Sequence, residues 1–196
     1  MSDIKKQIRE LRKMTSAGIM DCKKALEETN GDIKEAAKAL RKKGIAKADG
    51  KSARETAEGV IEAYVHFNGK IGVLIEVLCE TDFVAKNKEF KDFAREIAVH
   101  IAAMEPRYVD RDSVPEKDVN DEKEVYLDQM KDIDKPENIK EKIVEGKLNK
   151  FYKKHCLLEQ EYYKEDGKTI EEFVKENIAK FGENITVSRF KTYKIG

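Results

Sequence analysis

Apolar residues recur at helical spacing through the first 44 positions and predict three short helices. The apolar stripes comprise Ile4, Ile8 and Leu11, then Cys22, Ala25 and Leu26, then Ile33, Ala36, Ala37 and Leu40. Asp32 with Glu35 is a capping box that starts the third helix, and Gly44 is predicted to end it. Because so small a bundle is marginal on its own, we expect it to serve as a docking module.

Two segments with alternating apolar positions follow and predict a β-hairpin. Val60–Phe67 and Lys70–Cys79 flank the dipeptide Asn68-Gly69, which readily forms a tight two-residue turn. Helical spacing then returns and predicts a helix over Lys88–Met104. The pattern therefore changes from strand to helix within a few residues of Cys79.

The segment from Pro115 to Tyr152 is strongly charged and predicts two helices joined by Asp132–Pro136. The short connection, with a proline where the second helix starts, favours an antiparallel helical hairpin. Its narrow apolar seam suggests that the hairpin projects from the rest of the protein.

The C-terminal part combines an extended segment, a helix and a strand. We predict His155–Gln160 to be extended, and Thr169 to cap a helix that Gly182 ends. The last alternating segment, Ile185–Ile195, predicts a third strand. Its alternation changes face near Arg189, where we expect a bulge or a bend.

These elements predict an α+β fold. It consists of an N-terminal three-helix module and a small antiparallel sheet packed on helices, with the antiparallel helical hairpin inserted. The predicted boundaries are 1–44 for the three-helix module, 45–58 for a linker, 59–114 for the first part of a core lobe, 115–153 for the hairpin insertion and 154–196 for the second part of the core lobe.

Composition excludes several classes of function. The 39 basic and 39 acidic side chains balance, whereas a general nucleic-acid binder needs a basic surplus against phosphates. No apolar run approaches the roughly 18 residues of a membrane span, so we expect a cytoplasmic protein that does not contact membranes. The three cysteines and three histidines are scattered, and no metal, phosphate-loop or nucleophile motif is present. We therefore expect no cofactor, no metal and no catalytic residues.

The turn Thr81–Ala85 connects the second predicted strand with the helix that follows. It presents the Asp82 carboxylate beside the aromatic ring of Phe83. A phenylalanine in a loop forfeits the burial that would hold it, unless a partner or a neighbouring part supplies it. Two interpretations stay open: the Asp-Phe pair is a probe into another protein, or Thr81 merely caps the helix while Phe83 folds back onto the core.

Three stretches carry a resemblance to the bacterial elongation factor Ts family. Leu11–Leu26 resembles the N-terminal signature of that family, and Cys79–Lys86 resembles its second signature, which contains the Asp-Phe probe. Lys135-Pro136 with Glu141–Gly146 resembles its helical-hairpin segment. Their order and spacing cover nearly the whole chain, and they favour the probe interpretation of Phe83. The three-helix module is similar to ubiquitin-associated domains.

The resemblance implies a guanine-nucleotide exchange factor whose partner is the GTPase elongation factor Tu. Thr81, Asp82, Phe83 and Val84 are the matching positions of the probe. It implies that Phe83 enters an apolar crevice near the partner's magnesium ion and that Asp82 positions the turn or disturbs the hydrated ion. The probe would thereby release GDP and stabilise the nucleotide-free state until GTP binds.

The resemblance also implies contacts outside the turn. Arg12, Ile19 and Met20 match the docking positions of the N-terminal module, although from the sequence Met20 is as well explained as bundle core. His100 lies in a stretch that resembles one whose histidine reaches the partner. It flanks the apolar stripe of its helix, so a partly buried packing role stays equally open.

The chain departs from the family pattern in two respects. Ser16 and Ile19 replace the usual glycine and methionine of the first signature, and Ser16 could be awkward where positive φ is required. Longer members of the family carry a second core lobe and a C-terminal helical module. With one lobe, this chain would leave a sheet face and free edges uncovered, so we expect a homodimer that rebuilds the two-lobed surface.

Two other classes of function compete with this interpretation. A ubiquitin-associated adaptor would bind partners without acting on nucleotides, but it has no need of the Thr81–Ala85 signature. An enzyme could use Asp82 with His100 as an acid–base pair, but neither a nucleophile nor a cofactor loop accompanies them.

Overall fold

A computed structural model describes residues 2–15, 17–131, 133 and 136–196. The predictions about Ser16 and about most of the connection between the two charged helices therefore lie outside the described residues. The helices are α1 (Ser2–Thr15), α2 (Ile19–Glu28), α3 (Ile33–Asp49), α4 (Asp82–Lys86), α5 (Lys88–Met104), α6 (Glu116–Asp128), α7 (Glu137–His155) and α8 (Ile170–Phe181), with a 3-10 turn at Leu157–Glu159. The strands are β1 (Glu58–Val65), β2 (Ile71–Cys79) and β3 (Ile185–Lys194).

The chain divides into two compact units. The first comprises Met1–Gly59, Leu78–Phe90 and Glu172–Thr186. The second comprises Val60–Val77, Lys91–Glu171 and Val187–Gly196. The predicted α+β class is confirmed, because helices and a three-stranded antiparallel sheet coexist in the described residues.

The three N-terminal helices of the first unit form where the apolar spacing predicts them. Their shared core consists of buried Leu11, Cys22, Ala25, Leu26, Ala36 and Leu40. Asp32 caps α3, because its Oδ1 accepts hydrogen bonds from the backbone N–H groups of Lys34 (2.9 Å) and Glu35 (3.0 Å). The likeness of this module to ubiquitin-associated domains stays a prediction.

The third helix does not end at Gly44, as the sequence predicted, but continues to Asp49. Gly44 lies where α3 meets α8, and a Cβ placed on it would lie 3.4 Å from the Cβ of Ala179. A Cβ at that distance would make an ordinary van der Waals contact, so Gly44 lies inside α3 beside α8 without ending the helix. A glycine can lie inside a helix as well as at its end, and the sequence alone did not distinguish these two positions.

The second unit contains most of the sheet, in which β2 lies between β1 and β3. Val73, Ile75 and Val77 point to its covered face and are buried. Along α5, Phe93, Ala94, Ile97, Ala98 and Ile101 are buried, whereas Met104 at the end of the helix is 45% exposed. Arg95 of the same helix pairs with Glu62 of β1 at 3.2 Å.

The hairpin loop differs from the predicted two-residue turn. The N–H of His66 donates to the carbonyl oxygen of Ile71, which leaves four residues in the loop. Gly69 alone of the predicted Asn-Gly pair has positive φ (68°), whereas the tight turn requires it at both positions. Asn68 instead uses its side-chain oxygen to accept from the N–H of Lys70 (2.9 Å).

Helices α6 and α7 form the predicted antiparallel hairpin. Val119, near the start of α6, packs at the cluster of Phe151, while Gln129 just after α6 accepts a hydrogen bond from Lys147 (2.5 Å). The extended segment predicted for 155–160 is wrong: α7 runs to His155 and a 3-10 turn follows. Within this segment, Cys156 forms a parallel β-bridge with Tyr108. Its backbone groups are therefore paired with a remote part of the chain, which apolar periodicity does not predict.

The predicted change of face in β3 is seen in its pattern of burial. Ile185 and Val187 are buried, but the next covered positions are Phe190 and Thr192, so the alternation shifts by one residue. Arg189, at the shift, lies on the exposed side and pairs with Glu76 at 2.8 Å.

Candidate partner-binding site

The turn after β2 is a single helical turn, α4, with Thr81 as its N-cap. The Thr81 hydroxyl accepts a hydrogen bond from the N–H of Val84 at 3.4 Å. Ala85 is buried and anchors the turn to the first unit. The capping role that the sequence suggested for Thr81 is thus confirmed.

Phe83 does not fold back onto the core. Its side chain is 83% exposed, which contradicts that interpretation of the turn. Val84, the next residue, is half-buried. A large aromatic ring therefore projects into solvent from an ordered turn, as expected of a residue that contacts another molecule.

Asp82 precedes the projecting ring and remains about half-exposed. Its Oδ2 accepts a hydrogen bond from the Lys86 ammonium group at 2.5 Å. This hydrogen bond is the main reason that the pKa of Asp82 lies below its usual range. At neutral pH the turn therefore presents a carboxylate with a neighbouring cation.

The backbone of the turn is held from elsewhere in the first unit by Glu183. Its Oε2 accepts from the N–H groups of Glu80 (3.2 Å) and Thr81 (3.0 Å), and its Oε1 accepts from the Thr81 hydroxyl (2.6 Å). The sequence analysis missed Glu183. A glutamate just after a helix-ending glycine carries no motif, and only tertiary structure brings it to residues 102 positions away.

Asn184 extends the same set of contacts. Its N–H donates to the Glu80 carboxylate (2.6 Å), and its side-chain Nδ2 donates to the carbonyl oxygens of Ser52 (3.3 Å) and Arg54 (2.7 Å). Arg54 also approaches Glu80 at 3.5 Å. The segment after α3 is thus tied to the residues that flank the turn.

Cys79 lies beneath the turn as a buried, free thiol. Its Sγ donates to the carbonyl oxygen of Thr81 at 3.2 Å. Burial, followed by the nearby negative charge of Glu183, raises the pKa of the thiol to about 11. Cys79 therefore stays protonated and acts as a packing residue.

The docking positions of the N-terminal module are exposed. Met20 is 74% exposed and Ile19 57%, and Arg12 is also exposed. The alternative that placed Met20 in the bundle core is therefore wrong. Met14, which sequence reasoning missed, is 58% exposed at the end of α1 and enlarges the apolar surface.

The module and the turn belong to the same compact unit. Arg41 of α3 pairs with Glu172 (2.8 Å) and Glu176 (3.1 Å) of α8. Lys175 of α8 pairs with Asp49 at the end of α3 (2.8 Å). Helix α8 thus connects the helices that carry the docking positions with the residues that hold the turn.

His100, in contrast, is fully buried within the second unit. One ring nitrogen, Nε2, lies 3.0 Å from Oε1 of Gln160, and Nδ1 has no partner among the described residues. This burial supports the packing role that the sequence left open for His100. A buried imidazole is also poorly placed to exchange protons with a substrate, which weakens the acid–base interpretation.

Other kinds of site find no support in the described part of the chain. No group of three or more His, Cys, Asp or Glu side chains there could hold a metal ion. Nor is any helix in those ranges long and apolar enough to cross a membrane. The first unit of this α+β protein does expose apolar side chains, among them the Phe83 ring on its hydrogen-bonded turn and Ile19 and Met20 of the N-terminal module.

Comparison with known proteins assigns the chain to a family. The family profile described as elongation factor TS matches residues 2–196. Relatives named elongation factor Ts include those of Thermosipho melanesiensis, 56% identical over 97% of this chain and 97% of the relative, and of Thermotoga maritima, 58% identical over 96% and 94%. The relative of Geobacter sulfurreducens is 52% identical over 100% of this chain and 91% of its own length. The chain belongs to the elongation factor Ts family.

The buried His100 makes stability depend on pH. Burial lowers the pKa of His100 from the ordinary 6.5, partly offset by the hydrogen bond to Gln160. On acidification His100 therefore binds a proton at a higher pH in the unfolded chain than in the folded chain. The free energy of unfolding falls as the pH drops from about 6.5 towards the lower pKa of His100 in the folded state. We expect the free energy of unfolding to fall less between pH 7.5 and pH 5.5 in His100→Gln than in the unmodified chain. Urea unfolding measures these free energies, and an equal loss in His100→Gln and in the unmodified chain would contradict this account.

Proposed function

We propose that this chain binds elongation factor Tu in its GDP-bound form and promotes release of the nucleotide. The observation that carries the proposal is the exposed Phe83 on a capped and braced turn, in a chain of the elongation factor Ts family. The role requires no chemistry of its own, so we propose an exchange factor without catalytic residues. Such a factor would act in the cytoplasm, where translation takes place.

The energetic requirement on an exchange factor is modest. A factor that binds the nucleotide-free GTPase more tightly than the GDP-bound form weakens GDP binding by the same coupling free energy. Each tenfold preference corresponds to about 1.4 kcal/mol. Contacts that fit only the nucleotide-free conformation are therefore sufficient to release GDP, until GTP binding displaces the factor.

The turn supplies such contacts. We propose that Phe83 enters an apolar crevice of the GTPase near the magnesium ion and the phosphates of its nucleotide. Asp82, charged and adjacent, then disturbs the hydrogen bonds of the hydrated ion. Thr81 and Val84 keep the turn in shape through the cap that they share.

The N-terminal module supplies affinity. Arg12, Ile19 and Met20 are exposed at α1 and α2 and would dock on the GTPase away from the nucleotide. Methionine adapts to irregular surfaces, and arginine is often a residue of high binding energy. His100 would contribute indirectly, because it supports the interior of the second unit.

Phe83→Ala should reduce exchange sharply. Loss of a ring that fills a desolvated pocket should cost about 2 kcal/mol or more, roughly 30-fold in nucleotide release. The measurement is release of fluorescent GDP from elongation factor Tu at saturating factor. The matched control is Phe67→Ala, since Phe67 is 91% exposed at the hairpin loop. Unchanged release by Phe83→Ala, or equal losses in both variants, would refute the proposed role of the turn.

Docking and nucleotide release should respond to different substitutions. Met20→Ala and Arg12→Ala should each raise the factor concentration for half-maximal release by about tenfold, because they remove binding energy without altering the turn. The saturated rate should change by less than about twofold. Met104→Ala, which truncates a methionine that is 45% exposed on α5, is the control. A lower saturated rate with unaltered half-saturation would reverse the assignment.

We further propose that two copies of this chain associate through the outward face of the sheet. Several exposed apolar side chains alternate with covered ones along the strands or directly after β3: Ile61, Val65, Leu74, Tyr193 and Ile195. The charged residues Glu76 and Arg189 on this face already pair with each other. Two such faces related by a two-fold axis would bury apolar surface without like-charge repulsion. Each elongation factor Tu would then contact both copies in a two-plus-two assembly.

Light scattering tests the dimer. The unmodified chain should have a mass of about twice 22.5 kDa at micromolar concentration, and Ile61→Lys should shift it towards the mass of a single chain because burying an unpaired ammonium group is costly. Val125→Lys introduces the same charge at a residue that is 51% exposed on α6 and should leave the dimer intact. A monomeric unmodified chain that still releases GDP would show that one copy suffices.

A further inference from the structure

We propose that Glu183 is a positioning residue for nucleotide exchange, because its carboxylate holds the turn that carries Phe83. This inference rests on the proposed function and assigns a role to a residue that lies outside the family signatures named above. The Glu183 brace, as we call it, consists of Glu183 with the backbone and hydroxyl groups that it binds at Glu80 and Thr81.

The geometry of the brace uses both carboxylate oxygens. Oε2 accepts two backbone N–H groups, and Oε1 accepts the Thr81 hydroxyl at 2.6 Å. Hydrogen bonds to an ionised carboxylate are shorter and stronger than those between neutral groups. The same Thr81 hydroxyl accepts from the N–H of Val84, so Glu183 fixes the oxygen that caps α4.

Helical propensity and packing contribute little to the turn. Helix α4 is five residues long, and an isolated helix of that length is not stable in water. Ala85 is the only side chain of α4 that is buried, and Phe83, at 83% exposure, gains almost nothing from packing. The direction of the ring therefore depends on the backbone, to whose flanking residues the brace contributes three hydrogen bonds.

Glu183 itself is placed by its neighbours. Gly182 adopts positive φ (77°) and ends α8, so the chain turns back immediately before Glu183. Asn184, the next residue after Glu183, is buried. Its side chain donates hydrogen bonds to the backbone carbonyl oxygens of Ser52 and Arg54, which follow α3. The brace is thus anchored at both ends within the first unit.

A positioning role predicts a particular kinetic signature. Glu183→Ala should lower the saturated rate of GDP release about tenfold, equivalent to about 1.4 kcal/mol. It should change the half-saturating concentration by less than about twofold, because the docking residues are untouched. Glu183→Gln should give an intermediate rate: its amide oxygen can accept the two N–H groups, but its NH2 group cannot accept the Thr81 hydroxyl. Glu55→Ala, at an exposed glutamate of the same unit, is the control and should match the unmodified chain.

A double substitution separates positioning from a general loss of structure. If Glu183 acts through the ring, Glu183→Ala should lower the rate by less than about twofold when it is added to Phe83→Ala. A further tenfold loss in that background would overturn the proposal. So would a saturated rate of Glu183→Ala within about twofold of the unmodified chain.

Hydrogen exchange tests the brace without elongation factor Tu. The amides of Glu80 and Thr81 should exchange faster in Glu183→Ala, while the helices of the N-terminal module keep their protection. Unchanged exchange at these two amides would overturn the brace itself. If the unmodified chain releases no GDP, the proposed function and the positioning role fall together, whereas amide exchange still decides whether the carboxylate holds the turn.

Discussion

An aromatic side chain that points into solvent gains no fixed position from burial, so the backbone that carries it must be held by other means. In this protein the exposed ring of Phe83 sits on one helical turn whose flanking N–H groups are bound by a single carboxylate. That carboxylate comes from a segment 102 positions later along the chain. The conformation of this turn therefore depends on tertiary structure as well as on local propensity.

The three N-terminal helices and the turn share one compact unit. Helix α8 pairs with α3 through charged side chains, and the residues directly after α8 bind the turn. Surface ion pairs contribute little individually, but here they accompany a close approach of the two helices at Gly44. If both surfaces contact one partner, as proposed, a single compact unit carries them together.

Much of this organisation could be predicted from the sequence. Helical spacing indicated the three N-terminal helices and α5, and the abrupt change from alternation to helical spacing indicated the turn at Thr81. Local patterns indicated these features because they arise from burial of one face of an element. The motif at Thr81–Ala85 also favoured a projecting ring at Phe83, which is 83% exposed in the structure.

The predictions that failed involve residues whose roles are set by distant neighbours. Gly44 could end a helix or lie inside one, and in the structure α3 continues past it to Asp49, whose side chain pairs with Lys175 of α8. The segment after His155 could be extended or helical, and its bridge to Tyr108 could not be read from periodicity. Glu183 carries no local signal, since a glutamate beside a helix end is ordinarily solvated.

The continuation of α3 beyond Gly44 determines where the N-terminal module can be separated from the rest of the chain. A three-helix module that ended at residue 44 could be separated at that glycine without dividing a helix. Here α3 runs five residues further, and Asp49 at its end forms an ion pair with Lys175 of α8. A cut at Gly44 would therefore divide α3 and separate Asp49 from the rest of the module. A fragment meant to contain the whole N-terminal module should therefore extend at least to Asp49, so that α3 stays intact.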